Sequence, residues 1–138
     1  MKKYSLLLLI IIFSVSFLIG CDREISEKIV LPSVKEVTSI EINDRGSKFI
    51  SNDKDVILEL IDKISGLTIT NEESLQDVPS QESYIEINLV TKDNINTFFM
   101  YFDEGVLKLE QPYVGIFLVD NDLKELINGI HDFNLKDE

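Results

Sequence analysis

From Tyr84 to Val119 the chain alternates apolar and polar residues with a period of two, the mark of half-buried strands. Ile85, Ile87 and Leu89 point one way, and Tyr84, Glu86 and Asn88 the other. Thr91-Lys92-Asp93-Asn94 reads as a turn. Pairing Val90 with Ile95 beyond it sets Ile87 opposite Phe98 and Ile85 opposite Met100, which keeps one face apolar without a slip. Asp103-Glu104-Gly105 turns the chain again. With Phe102 opposite Leu107 and Met100 opposite Leu109, the same face stays buried, and Gly105 supplies the positive φ of a tight hairpin. After a kink at Gln111-Pro112, Ile116 to Val119 forms a last strand.

Upstream, Val37 to Ile42 is a β-branched strand stopped by the turn cluster Asn43 to Gly46, and Lys48 to Ile50 makes a short return. Val56, Ile57, Leu60, Ile61 and Ile64 recur at helical spacing, with Asn52 as the cap and Gly66 as the stop. Leu67 to Thr70 is a weak strand. Asp120-Asn121 caps a second helix carrying Leu123, Leu126, Ile127 and Ile130. The order β(β)-α-(β)-β-β-β-β-α predicts an α+β fold, a single antiparallel sheet of about five strands with two helices on one face. Asn71 to Glu82, with Pro79, is a polar loop of about a dozen residues, long for a connection and so either a solvated crossing or a site.

The predicted register brings Tyr84, Glu86, Phe99, Tyr101, Lys108 and Glu110 together on the face away from the helices. Two readings are open. A loop, the N-terminal segment or a helix covers them, or they pair across strands on an open face. Alternatively, a contiguous surface centred on two aromatics is a binding face.

The N-terminus has a pattern of its own. Lys2 and Lys3 precede an apolar run from Leu6 to Gly20, interrupted only by Ser14 and Ser16. As a helix it would reach about 22 Å, short of the ~30 Å bilayer core, so it reads as a signal sequence rather than a membrane span. It ends in Leu18-Ile19-Gly20-Cys21, which resembles the lipobox of bacterial lipoproteins. That resemblance covers residues 1–21 and implies cleavage before Cys21. It further implies a diacylglyceryl thioether on Cys21, with acyl chains of the palmitate kind and an amide-linked third chain left open. Two chains suffice for stable anchoring. Cys21 is the only cysteine, so once it is lipidated no thiol remains for a disulfide, a metal or a nucleophile.

Cleavage would leave 118 of the 138 residues, enough for one domain. It removes two of the 13 basic side chains and none of the 25 acidic ones, moving the net charge from −12 to −14. Such a surface repels nucleic acid and anionic lipid headgroups. Abundant Ile, Lys, Asn and Asp, with no Trp and no Ala, suits an AT-rich, Gram-positive genome. The organisation expected is a signal peptide over 1–20, lipidated Cys21 and a tether over 21–33, and one α+β domain over 34–135. From Asp22 to Ser33 the tether would span at most about 40 Å.

Asp77-Val78-Pro79, Tyr84-Ile85 and Glu110-Gln111-Pro112-Tyr113-Val114-Gly115-Ile116 resemble an uncharacterised domain family of Gram-positive lipoproteins with a Pro-Tyr-x-Gly-Ile signature, over about residues 33–131. Phe117 stands where that pattern often has Tyr. The family carries no assigned activity, so the resemblance implies fold and location only. Physically, Pro112 cannot donate to a ladder and Gly115 permits a bulge, so the two can end one strand and re-aim the next. Tyr113 would be a corner residue with its hydroxyl reaching backbone.

Catalytic parts are scarce. His131 is the only histidine and follows the core-facing Ile130 near a helix end, where it suits the dipole. No nucleophile elbow, phosphate loop or His-Glu-x-x-His helix occurs, and no catalytic residue is assigned. No cofactor or metal is expected; weak calcium binding at Asn52-Asp53-Lys54-Asp55 or Asp120-Asn121-Asp122 is the one candidate, set against helix capping. The expectation is a non-catalytic binding or accessory module, lipid-anchored on the extracytoplasmic face of the cell membrane, with an envelope protein or ligand as partner. The alternatives are a small envelope enzyme using carboxylates and an immunity-type blocking lipoprotein.

Overall fold

Two hairpins are built on turns whose residues both take positive φ: Arg45 and Gly46 (43° and 94°), and Glu104 and Gly105 (50° and 77°). This is the type I′ geometry, whose twist matches that of the strands it joins. The computed structural model describes residues 28–130. The apolar N-terminal run, Cys21, His131, Phe133 and Leu135 lie outside the described residues. Within that range the order is β1 (Val37–Asp44), β2 (Ser47–Ser51), α1 (Lys54–Ser65), β3 (Thr68–Ile69), β4 (Ile85–Thr91), β5 (Ile95–Asp103), β6 (Val106–Gln111), β7 (Gly115–Leu118) and α2 (Asn121–Ile130).

The fold is α+β, with a single antiparallel sheet and two helices. Strand count and order differ from the expectation of about five. Seven strands lie in the order β2-β1-β4-β5-β6-β7-β3, because both weak segments join as edges. Edges pair on one side only, so five residues in β2 and two in β3 suffice, and so little sequence leaves a faint signal. In the centre the register is the one the alternation predicts: Val90 opposite Ile95, Ile87 opposite Phe98, Ile85 opposite Met100, Phe102 opposite Leu107 and Met100 opposite Leu109.

Both helices bury their apolar stripe on one face of the sheet. Ile57, Leu60, Ile61 and Ile64 of α1 and Leu123 and Ile127 of α2 share a core with Ile40, Ile42, Ile85, Ile87, Leu89, Phe98, Met100, Leu107 and Leu109. Each such side chain contributes roughly 1.5–3 kcal/mol when fully buried. The α1 cap is Asp53 rather than Asn52: its side chain accepts the Asp55 N–H at 2.9 Å, while the Ser51 hydroxyl accepts the Asp53 N–H. Asp120 caps α2 by accepting the Leu123 N–H at 2.8 Å. Asp122 receives Lys63 at 2.8 Å, tying the two helices.

The segment read as a tether over 21–33 is partly domain. Ile29, Leu31 and Val34 pack against the core, so folded structure begins before residue 34. The backbone of Val30 is held twice by the Gln111 side chain: Val30 N–H donates to Oε1 at 2.8 Å, and Nε2 donates to the Val30 carbonyl at 2.7 Å. Its amide thus does for a single residue what a neighbouring strand does for many.

Candidate functional site

The antiparallel register carries every second residue of the central strands to the face without helices. Asn43, Glu86, Phe99, Glu110 and Ile116 form one row across it, and Tyr101, Lys108 and Leu118 the next. The six residues predicted to share this face do share it. Their exposure is uneven. Phe99, Tyr101, Lys108 and Glu110 are buried, and Tyr84 and Glu86 are half-buried. Tyr84 meets Phe99 edge to face, with ring centroids 5.2 Å apart.

The cover is the long connection from β3 to β4, which crosses this face. Glu72 accepts from Lys108 Nζ at 2.7 Å, and Asp103 accepts from the same ammonium at 2.7 Å. The Ser74 hydroxyl, itself buried, donates to Glu110 Oε1 at 2.6 Å, and the Tyr101 hydroxyl donates to Oε2 at 3.0 Å. Gln81 bonds Asp103, and Pro79 is buried. This is a polar layer in which a buried cation, two flanking carboxylates and a doubly bonded carboxylate satisfy one another, as buried charges require.

The titrations follow from that packing. Burial, with the charge of Glu110 beside it, pushes the Tyr101 phenol far above its ordinary value. Burial works against the Lys108 ammonium, but its hydrogen bonds to Asp103 and Glu72 outweigh it and the pKa is raised. The hydrogen bond from Lys108 holds Asp103 below the usual carboxylate range.

Beyond the layer the face opens. Glu86, Thr97 and Phe99 on the sheet, Asp77 from the crossing loop, Ile95 and Asn96 at the start of β5, and Gln111, Pro112 and Tyr113 at the end of β6 line a groove of about 530 Å³. Its base is ordered by amides. Asn43 and Asn88 both donate to Glu86 Oε1, and the Thr97 hydroxyl donates to Asn88 Oδ1 at 2.7 Å. Two carboxylates and no basic side chain line it.

The signature residues form the wall. Val114 N–H donates to the Gln111 carbonyl at 3.0 Å across Pro112-Tyr113, and Tyr113 takes φ 62°. With Pro at the second position and positive φ at the third, this is a type II turn, where Gly is the usual third residue. A bulky residue there is strained by roughly 1–2 kcal/mol. Ser74 helps to hold it by accepting the Tyr113 N–H at 3.1 Å. The Tyr113 ring is exposed, and its hydroxyl bonds the Asp77 side chain rather than backbone, which raises its pKa.

Gly115 makes no bulge. It pairs in register with Gln111, and a Cβ on it would lie 3.2 Å from Ile69 Cδ1, so its role is to let edge strand β3 approach. Ser74, Asp77, Thr97 and Gln111 complete the site without having been singled out by periodicity. Asp77 and Gln111 do lie in the stretches that carried the family resemblance. The acidic clusters weighed for calcium are engaged elsewhere, Asp53 and Asp120 in caps and Asp122 on Lys63. Among the described residues, no group of three or more His, Cys, Asp or Glu side chains is arranged to hold a metal ion.

No curated protein matches the chain. A protein from Ruminococcus gnavus, solved by NMR, superposes with a TM-score of 0.63 at 30% identity, over 72% of this chain and 98% of its own. Residues 25–118, more than half of the chain, match the family DUF5301, described as a domain of unknown function (DUF5300), and the protein belongs to that family.

Proposed function

We propose that this protein is a lipid-anchored, extracytoplasmic, non-catalytic binding or accessory module, and that its groove takes a cationic segment of an envelope partner. The anchor rests on the run from Lys2 to Cys21, with its lipobox. One observation carries the binding site: Tyr113, two-thirds exposed, is kept in a left-handed conformation beside an open groove by contacts to Ser74 and Asp77. Backbone strain of this kind persists only where surrounding contacts enforce it, and it concentrates at ligand clamps. The charge of the partner follows from Asp77 and Glu86 in the lining and from a net charge of −12.

The test is a photoreactive residue in place of Thr97, in protein made from Met1 in its native host, with the same residue at Leu58 on exposed α1 as the control. A single crosslinked envelope product from position 97, lost in Asp77→Asn/Glu86→Gln and weakened by added salt, is the expected result. Identical products from both positions, or a product indifferent to the two carboxylates, would remove the groove as the site.

A further inference from the structure

The place where the chain enters the fold is fixed. Val30, locked onto the Gln111 side chain, puts the incoming segment at the sheet end formed by the β4–β5 turn, Thr91 to Asn94, and the β6–β7 turn, Gln111 to Val114. Eight residues lie between Cys21 and Val30, nine steps along the chain with a reach of at most about 32 Å. The nine residues of β5 alone span roughly 30 Å from that end to the other. A tether able to present the opposite end to the membrane would have to lie fully stretched along the whole domain. The entry end is therefore the one the anchor draws to the bilayer.

Its surface chemistry suits that position. Val30, Ile95 and Tyr113 are exposed there, each by more than half. Lys35 and Lys92 line a second depression of about 630 Å³ at the same end, together with Val30, Asn96, Glu36 and Asp93. Around this depression two lysines stand against two acids, Glu36 and Asp93, and Asp77 adjoins Tyr113 in the groove beside it, on a chain with a net charge of −12. The lysines offset part of the repulsion that an acidic surface meets at anionic lipid. Tyrosine with an apolar ring and a polar tip is a residue that settles at the membrane–water boundary, and lysine stems reach outward to headgroups.

We propose that this end lies on the bilayer, with Val30, Ile95 and Tyr113 among the headgroups and Lys35 and Lys92 facing anionic lipid, so that the groove opens along the membrane surface. The placement rests on the lipid-anchored reading.

The chain contains no tryptophan, so one introduced Trp reports alone. Protein made from Met1 and purified from host membranes would be reconstituted into phosphatidylethanolamine–phosphatidylglycerol vesicles with brominated acyl chains, carrying Tyr113→Trp, Ile95→Trp or, at the opposite end of the sheet, Val106→Trp. Trp at 113 and 95 should emit at shorter wavelength and be quenched several-fold more than Trp at 106. Equal quenching at all three positions, or quenching at 106 alone, overturns the placement. Vesicle flotation and the mass of the N-terminal peptide are read on the same samples. Protein that floats with acylated Cys21 but shows no difference among the probes sinks only the orientation. Protein that does not float sinks the anchor and the orientation with it.

Discussion

The side-chain amide of Gln111 engages both main-chain groups of Val30, donating to its carbonyl at 2.7 Å and accepting from its N–H at 2.8 Å. Gln111 is buried, and the residue it holds is 81 positions away in sequence. Gln111→Leu keeps the volume and removes both bonds. A hydrogen bond contributes about 1 kcal/mol net, so the variant should be destabilised by about 1–2 kcal/mol, several degrees in Tm for a domain of this size. Hydrogen exchange at the Val30 amide should quicken while β4 and β5 stay protected. An unchanged exchange rate would mean that Ile29 and Leu31 hold the segment without it.

Tyr113→Gly relieves the strained turn. Glycine takes positive φ without steric cost, so the variant should be more stable than the parent, by up to about 1 kcal/mol. It should also lose crosslinking from position 97. A gain in stability joined to a loss of binding separates a residue kept for contact from one kept for folding; denaturant titration read beside the crosslinking assay checks it.

The Tyr101 phenol titrates above its ordinary value of 10.0 because it is buried beside Glu110. Its folded pKa is thus raised, and the stability it contributes is fully present below pH 10 and lost as pH climbs further, since the unfolded chain releases the proton first. Tyr101→Phe should flatten that alkaline decline. At neutral pH it should cost about 1 kcal/mol, because Glu110 keeps only Ser74 as donor. Unfolding midpoints from pH 8 to 11 decide it.

Asp103 behaves in the opposite sense. Lys108 holds its carboxyl below the ordinary 3.8, so its contribution is present above that pH and lost as pH falls through the lower, folded value. The Asp103 side chain is 37% exposed, so solvent screening keeps the effect small, a few tenths to about 1 kcal/mol. Asp103→Asn should therefore shift the acid midpoint only slightly and, because Asp103 also helps to raise the pKa of Lys108 and Tyr101, soften the alkaline decline a little; acid and alkaline titrations followed by circular dichroism measure both.

The register of β4, β5 and β6 was legible because a one-residue slip would turn Ile85, Ile87, Phe98 and Met100 out of the core, and alternation records that constraint directly. The helices were legible for the same reason at their own period. What escaped was whatever depends on a single distant partner. Ser74 finding Glu110, Asp77 finding Tyr113 and Gln111 finding Val30 each join positions more than 30 residues apart through one polar group, and no local pattern encodes such a meeting. Ile29, Leu31 and Val34 sit among charged neighbours, so their sparse spacing looked like a linker until the core they close was in place. Hence the face was placed correctly, while its cover was one of two open readings.

At the sheet margin beside β7, β3 offers only Thr68 and Ile69. A row of unpaired main-chain groups invites a second polypeptide to add on. A border two residues long gives a neighbour almost nothing to grip. Packed side by side, these molecules would be protected from zipping into fibrils along that flank.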